Sequence, residues 1–113
     1  MPKQELENYS DSVFENIKHI NEYGQEFWYA RELQTVLEYT EWRNFSKVID
    51  HAVEACRQSK NDVDSHFVEV NKMVSLGSGT QRQINDYELS RYACYLIVIH
   101  LAVLEASEDK IMA

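Results

Sequence analysis

His51 and Cys56 are the base and thiol that come nearest to a nucleophilic pair, but an offset of five residues along a helix turns their side chains to different faces. The histidines, His19, His51, His66 and His100, are dispersed. Neither Cys56 nor Cys94 has a second ligand at the short spacing of a zinc site. No G-x-S-x-G elbow, Walker loop or H-E-x-x-H motif occurs. The expectation is a non-enzymatic protein with no catalytic residues, no metal and no cofactor.

Binding chemistry has more to work with. The stretch FWYARELQTVLEYTEWRNF, residues 27–45, is dense in aromatic rings, which can stack on bases, face a partner or fill a core. Trp42 and Phe45 share a helical stripe with Val48, Ile49 and Ala52 and are assigned to the core, whereas Trp28 and Tyr29 stay open as partner-interface candidates. Arg43 and Lys47 stand at i, i+4 on the solvent side of one helix, with Arg31, Lys72, Arg82 and Arg91 elsewhere. In a GSGTQR finger, Gly77 and Gly79 would let the backbone approach phosphates while Arg82 supplies charge. The nucleic-acid-binding candidates are therefore Arg43, Lys47, Lys72, Gly77, Gly79, Arg82 and Arg91. The competing reading is a solvated face that balances carboxylates such as Glu38, Glu41 and Asp50.

Composition limits both readings. The chain has 113 residues with 11 Lys plus Arg against 19 Asp plus Glu, a formal charge of -8, so the molecule as a whole repels nucleic acid and any such site must be a local patch. An acidic surface also suits a basic protein partner. With 44% hydrophobic residues, one proline and three glycines, the composition is that of one compact domain. Both cysteines sit in apolar helical patterns and read as buried and reduced. The apolar run YACYLIVIHLAVL is too short for a membrane span, and no signal-peptide pattern opens the chain. The expected location is the cytoplasm of a bacterium or a phage-infected bacterium.

These residues need an α+β scaffold of short antiparallel hairpins packed on helices. MPKQELENYSDS, residues 1–12, reads as a tail or flexible arm, and the domain is assigned to residues 13–113. From Phe14 through Ile17 and Ile20 to Phe27, with Glu22 to Gln25 as the turn, the pattern predicts a short hairpin. ARELQTVLEY and the stretch from Trp42 to Cys56 predict two helices separated near Tyr39 and Thr40, with Thr40 as the cap of the second. HFVEVNKMVSL and TQRQINDYEL predict a hairpin joined by a glycine-tipped loop, Leu76 to Thr80. LSRYACYLIVIHLAVLEA predicts a helix, apolar on nearly every side, that is capped by Ser90 or begins slightly earlier and ends in SEDK. Its apolar side, with Leu96, Ile99 and Val103, is a candidate homodimer interface.

The blocks FWYARELQ, WRNF, KMV followed by GSG, and DYELSRYACYLI resemble the N-terminal domain of the DNA-damage-inducible protein D family, within the wider Bro N-terminal and phage antirepressor group. The resemblance covers about Val13 to Val98. It implies an α+β domain, without catalytic residues, that acts on DNA transactions by binding nucleic acid, a recombinase or a repressor. Relatives continue after LIV through an asparagine-glycine turn into further helices, whereas IHLAVLEASEDKIMA follows here.

Three functions remain open at the level of sequence. The first is a modulator of DNA repair, recombination or phage regulation that engages a basic protein partner. The second is a direct DNA-binding module using the GSG loop, Arg43, Lys47 and Arg82. The third is an anti-CRISPR-like phage protein that blocks the DNA path of a nucleic-acid-guided nuclease.

Overall fold

The computed structural model describes residues 12–112, with side chains described as far as Leu104. The tail expected over residues 1–12 lies, save its last residue, outside the described residues. Along the chain run α1 (residues 12–17), β1 (His19–Ile20), β2 (Glu26–Tyr29), α2 (Ala30–Val36), α3 (Trp42–Gln58), α4 (Val63–His66), β3 (Phe67–Ser75), β4 (Gln81–Leu89) and α5 (Arg91–Met112). The four strands form one antiparallel sheet in the order β1-β2-β4-β3, so the architecture is α+β.

The first hairpin forms, but its leading strand is shorter than the apolar pattern implies. Phe14 and Ile17 are three apart, a helical spacing, and belong to α1. Asn21 builds the turn: its Oδ1 accepts the N–H groups of Tyr23 and Gln25, each at 2.9 Å. Gly24 supplies the positive φ of 77° that the reversal requires.

The second hairpin is the largest feature of the sheet. Nine residues pair with nine, from Phe67 opposite Leu89 to Ser75 opposite Gln81, an arm about 30 Å long at the usual rise per residue. Alternation assigns Phe67, Glu69, Asn71 and Met73, with Gln83, Asn85, Tyr87 and Leu89, to one face. Val68, Val70, Lys72 and Val74, with Arg82, Ile84, Asp86 and Glu88, take the other. Phe67 and Leu89 are buried at the root, and most residues beyond Val70 are exposed.

Helices α3 and α5 complete the core. On α3, Phe45, Val48, Ile49, Ala52 and Cys56 are buried, the helical stripe that the spacing predicts. Trp42 packs on that core without being enclosed. Thr40 does not cap α3: Glu41 holds the N-cap position, without a side-chain cap bond. Trp42, the first residue of α3, packs its ring near those of Phe45 and Tyr87, so the start of the helix is held by side-chain packing without the cap that would add about 1 kcal/mol. Ser90 does cap α5, its Oγ accepting the Ala93 N–H at 3.1 Å. That helix passes through SEDK to Met112, there being no glycine or proline to stop it. The single turn α4 was not legible as a helix, although Asp62 accepts the Asp64 N–H and initiates it.

Buried on α5 are Ala93, Cys94, Ile97 and Val98; both cysteines are free thiols. Among the described residues, no helix is long and apolar enough to cross a membrane.

Candidate interaction site

The arm stands where β2 stops. Beyond the pair Tyr29 with Glu88, the outer edge of β4 loses its strand partner and the chain turns into α2. Arg31 takes over that edge: its backbone N–H donates to Asp86 Oδ1 at 3.1 Å and its Nε donates to the Asn85 carbonyl at 2.6 Å. The same guanidinium lies 4.1 Å from the centre of the Trp42 ring, tying α2, β4 and α3 together.

Asp86 is the buried acid of this junction, 1% exposed. Its Oδ1 also accepts the Tyr87 N–H at 2.7 Å, and the Lys72 ammonium stands 2.9 Å from Oδ2. Lys72 gives Oδ2 a charge partner rather than an aligned hydrogen bond. The ammonium also sits 3.3 Å above the Tyr29 ring. Lys72 thus completes a Tyr29–Lys72–Asp86 stack in the interior half of the arm.

The other cations divide. Arg91 places Nε and Nη2 on Glu26 at 2.8 and 3.0 Å, reaches Glu15 at 3.3 Å, and lies 5.1 Å from the Trp28 ring. The bond to Glu26 first raises the Arg91 pKa above the ordinary arginine range, and the same bond holds the Glu26 carboxyl below its own. Arg91 is accordingly a clamp between α5 and β2, with its charge already neutralised. Arg43, Lys47 and Arg82 are exposed, and among the described residues none forms an ion pair.

They do not form one patch. Arg43 and Lys47 lie on α3, which covers the Tyr87 face of the arm, whereas Arg82 pairs with Val74 on the opposite face, with Lys72. Strand parity, not distance along the chain, separates them. Gly77 and Gly79 form the exposed tip with φ of 83° and 79°.

Of the interface candidates, Trp28 offers a partner nothing: it is fully buried, and its Nε1 donates to the Phe14 carbonyl at 2.8 Å. The face of β2 that carries it is covered by α1 and α5, which turns an ambiguous aromatic into a core one. Tyr29 is half-buried under Lys72 and against His19 and Phe27. Leu96 packs on the core, while Ile99 and Val103 are 49% and 56% exposed.

The sequence reading missed a cleft. A cavity of about 410 Å³ lies between α3 and the arm, lined by Trp42, Ser46 and Asp50 on one side and Glu69, Asn71, Asn85 and Tyr87 on the other, with Val70 and Asp86 at its base. Trp42, Ser46 and Asp50 recur every four residues, the one local signal that could have exposed it. The Tyr87 hydroxyl donates to Glu69 Oε1 at 3.2 Å. Burial first, then the Glu69 and Asp50 carboxylates, raise the Tyr87 phenol above its usual range.

Comparison with known proteins places this geometry. Residues 16–108 match the family described as "BRO family, N-terminal domain". The match runs past Val98, where the resemblance read from sequence blocks ended. The chain is 49% identical over 85 residues to DNA damage-inducible protein D of Escherichia coli strain K12, covering 75% of this chain and 31% of that protein. It therefore spans about a third of the length of that relative. No solved structure matches. A chain matched over residues 16–108, with the α+β architecture above, belongs to the BRO family through its N-terminal domain.

Proposed function

We propose that this domain is a non-enzymatic regulatory module of a DNA-damage or phage-regulatory response, and that it works by docking a protein partner with its β3–β4 arm. The kinship with DNA damage-inducible protein D supports the setting. The observation that carries the docking mode is the composition of the arm's outer part. From Met73 to Ile84 the only charged residue is Arg82, while Met73 and Leu76 are 60% and 55% exposed. A tip that is nearly uncharged and exposes Met73 and Leu76 gains little from phosphates, while those two side chains gain from burial against protein.

The test is photo-crosslinking from position 78 of the tip in bacteria treated with a DNA-damaging agent. One discrete protein adduct is expected, lost on substituting Met73→Asp with Leu76→Asp. Absence of any adduct, or adducts that survive the double substitution, would count against the reading.

Direct DNA binding is a second reading, favoured by one observation: Arg43, Lys47 and Arg82 are exposed and lack ion pairs among the described residues. If all three met phosphates, log affinity would fall with log salt at a slope of about -2.7. Their placement on opposite sides of the arm makes simultaneous contact with one duplex demanding. Fluorescence anisotropy with a labelled duplex across a salt series measures that slope.

A further inference from the structure

We propose that the cleft between α3 and the arm is a receptor for an arginine side chain of a basic protein partner. The inference rests on the protein-docking reading and specifies the chemistry of one contact.

Two carboxylates, Asp50 and Glu69, border the cleft, and among the described residues neither pairs with a cation. Among the described residues the Glu69 carboxylate accepts one hydrogen bond, from the Tyr87 hydroxyl to Oε1, which leaves Oε2 to accept. Of the cations near the cleft, Lys72 is paired with Asp86 and lies over Tyr29, whereas Arg31 holds the Asn85 carbonyl and a face of the Trp42 ring and, among the described residues, has no carboxylate partner. Asp86 is therefore balanced, and the lining keeps the negative charge of Asp50 and Glu69.

The walls discriminate among cations. Tyr87, and the face of Trp42 that Arg31 leaves uncovered, with ring centres 6.5 Å apart and planes tilted by 33°, supply π surface to a flat, weakly hydrated ion. Asn71 and Asn85 add side-chain carbonyls that can accept. A planar guanidinium can fork onto a carboxylate while its face lies on an aromatic ring, which a compact ammonium does not do. The volume of about 410 Å³ admits one long side chain and no folded element. The formal charge of -8 draws basic partners toward this surface from a distance.

The experiment titrates the whole chain with the peptide Ac-Gly-Arg-Gly-NH2 and follows Trp42 indole and Asn71 and Asn85 amide resonances. Saturable shifts at these groups are expected with the arginine peptide, and shifts at least tenfold weaker with the citrulline, lysine or spermidine controls. The double variant Asp50→Asn, Glu69→Gln keeps the shape of the lining and should weaken binding about tenfold or more, as loss of a charge-assisted contact implies. Its native resonance dispersion verifies the fold, and Glu69→Gln alone serves if the double variant misfolds. Equal shifts with citrulline or spermidine, or none with arginine, would overturn the assignment. A tip crosslink that forms on the wild-type chain while the arginine peptide gives it no saturable shift would refute the arginine site and leave the docking reading standing. A peptide that binds while the tip captures nothing would do the reverse.

Discussion

Arg91, the first residue of α5, grips both carboxylate oxygens of Glu26 in β2, at 2.8 and 3.0 Å, across a separation of 65 residues. This fork ties the start of the core helix to the strand that buries Trp28. Arg91→Ala should lower stability by about 1–2 kcal/mol, the scale of a half-exposed, well-aligned ion pair. The effect has a pH signature. The Arg91 bonds hold the Glu26 pKa below 4.5, so this stability is present above the unfolded pKa and is lost as pH falls through the folded one. Urea titrations at pH 7 and pH 3 should therefore show a gap between wild type and variant that narrows in acid.

Asp86 anchors three groups in the interior of the arm. Asp86→Ala leaves the N–H groups of Arg31 and Tyr87 without their acceptor and the partly exposed Lys72 ammonium without its carboxylate, and should cost about 1–3 kcal/mol. Asp86→Asn keeps an acceptor for both N–H groups and should cost less. Chemical denaturation of the two variants orders them.

His51 and His100 stack with ring centres 4.7 Å apart, and His100 Nε2 is buried and, among the described residues, has no hydrogen-bond partner. Burial first, and then the neighbouring His51, depress the His100 pKa below 6.5. Protons thus bind the unfolded chain more readily. The packing of α3 on α5 should be at full strength above the unfolded value and weaken as pH drops through it toward the folded value. Melting temperatures from pH 7.5 to 5 should fall more steeply for wild type than for His100→Phe.

Gly77 and Gly79 hold φ of 83° and 79° at the arm tip, and a Cβ at either would meet nothing within 4 Å. The penalty for Gly77→Ala or Gly79→Ala is thus conformational alone, about 1 kcal/mol each. Hydrogen exchange should speed up in β3 and β4 near the tip while protection at Phe67 and Leu89 is unchanged.

Burial raises the Cys94 thiol far above its ordinary range and Cys56 in the same direction. Neither should react with a thiol-specific reagent in the native protein at pH 8, whereas both should react in urea. The onset of labelling should follow the unfolding curve.

Local pattern was enough to set out most of the scaffold, because what it requires is local. Alternation in HFVEVNKMV and QRQINDYEL, the glycines between them, the stripe from Phe45 to Cys56 and the Ser90 cap are each written within a few residues, and the strands and helices follow. Local pattern also marked Arg43, Lys47 and Arg82 as exposed cations. It could not assign them to sides, since one residue of register decides which face of the arm a side chain takes. Nor could it tell that Trp28 would be sealed by Phe14 or that Arg91 would meet Glu26, because those partners lie far away in the sequence. The cleft arises only when α3 settles against the arm and brings Asp50 beside Tyr87 and Glu69. Composition and periodicity thus determined the elements and the overall charge, whereas tertiary packing decided which charges cancel, which rings are hidden and which carboxylates remain to meet a partner.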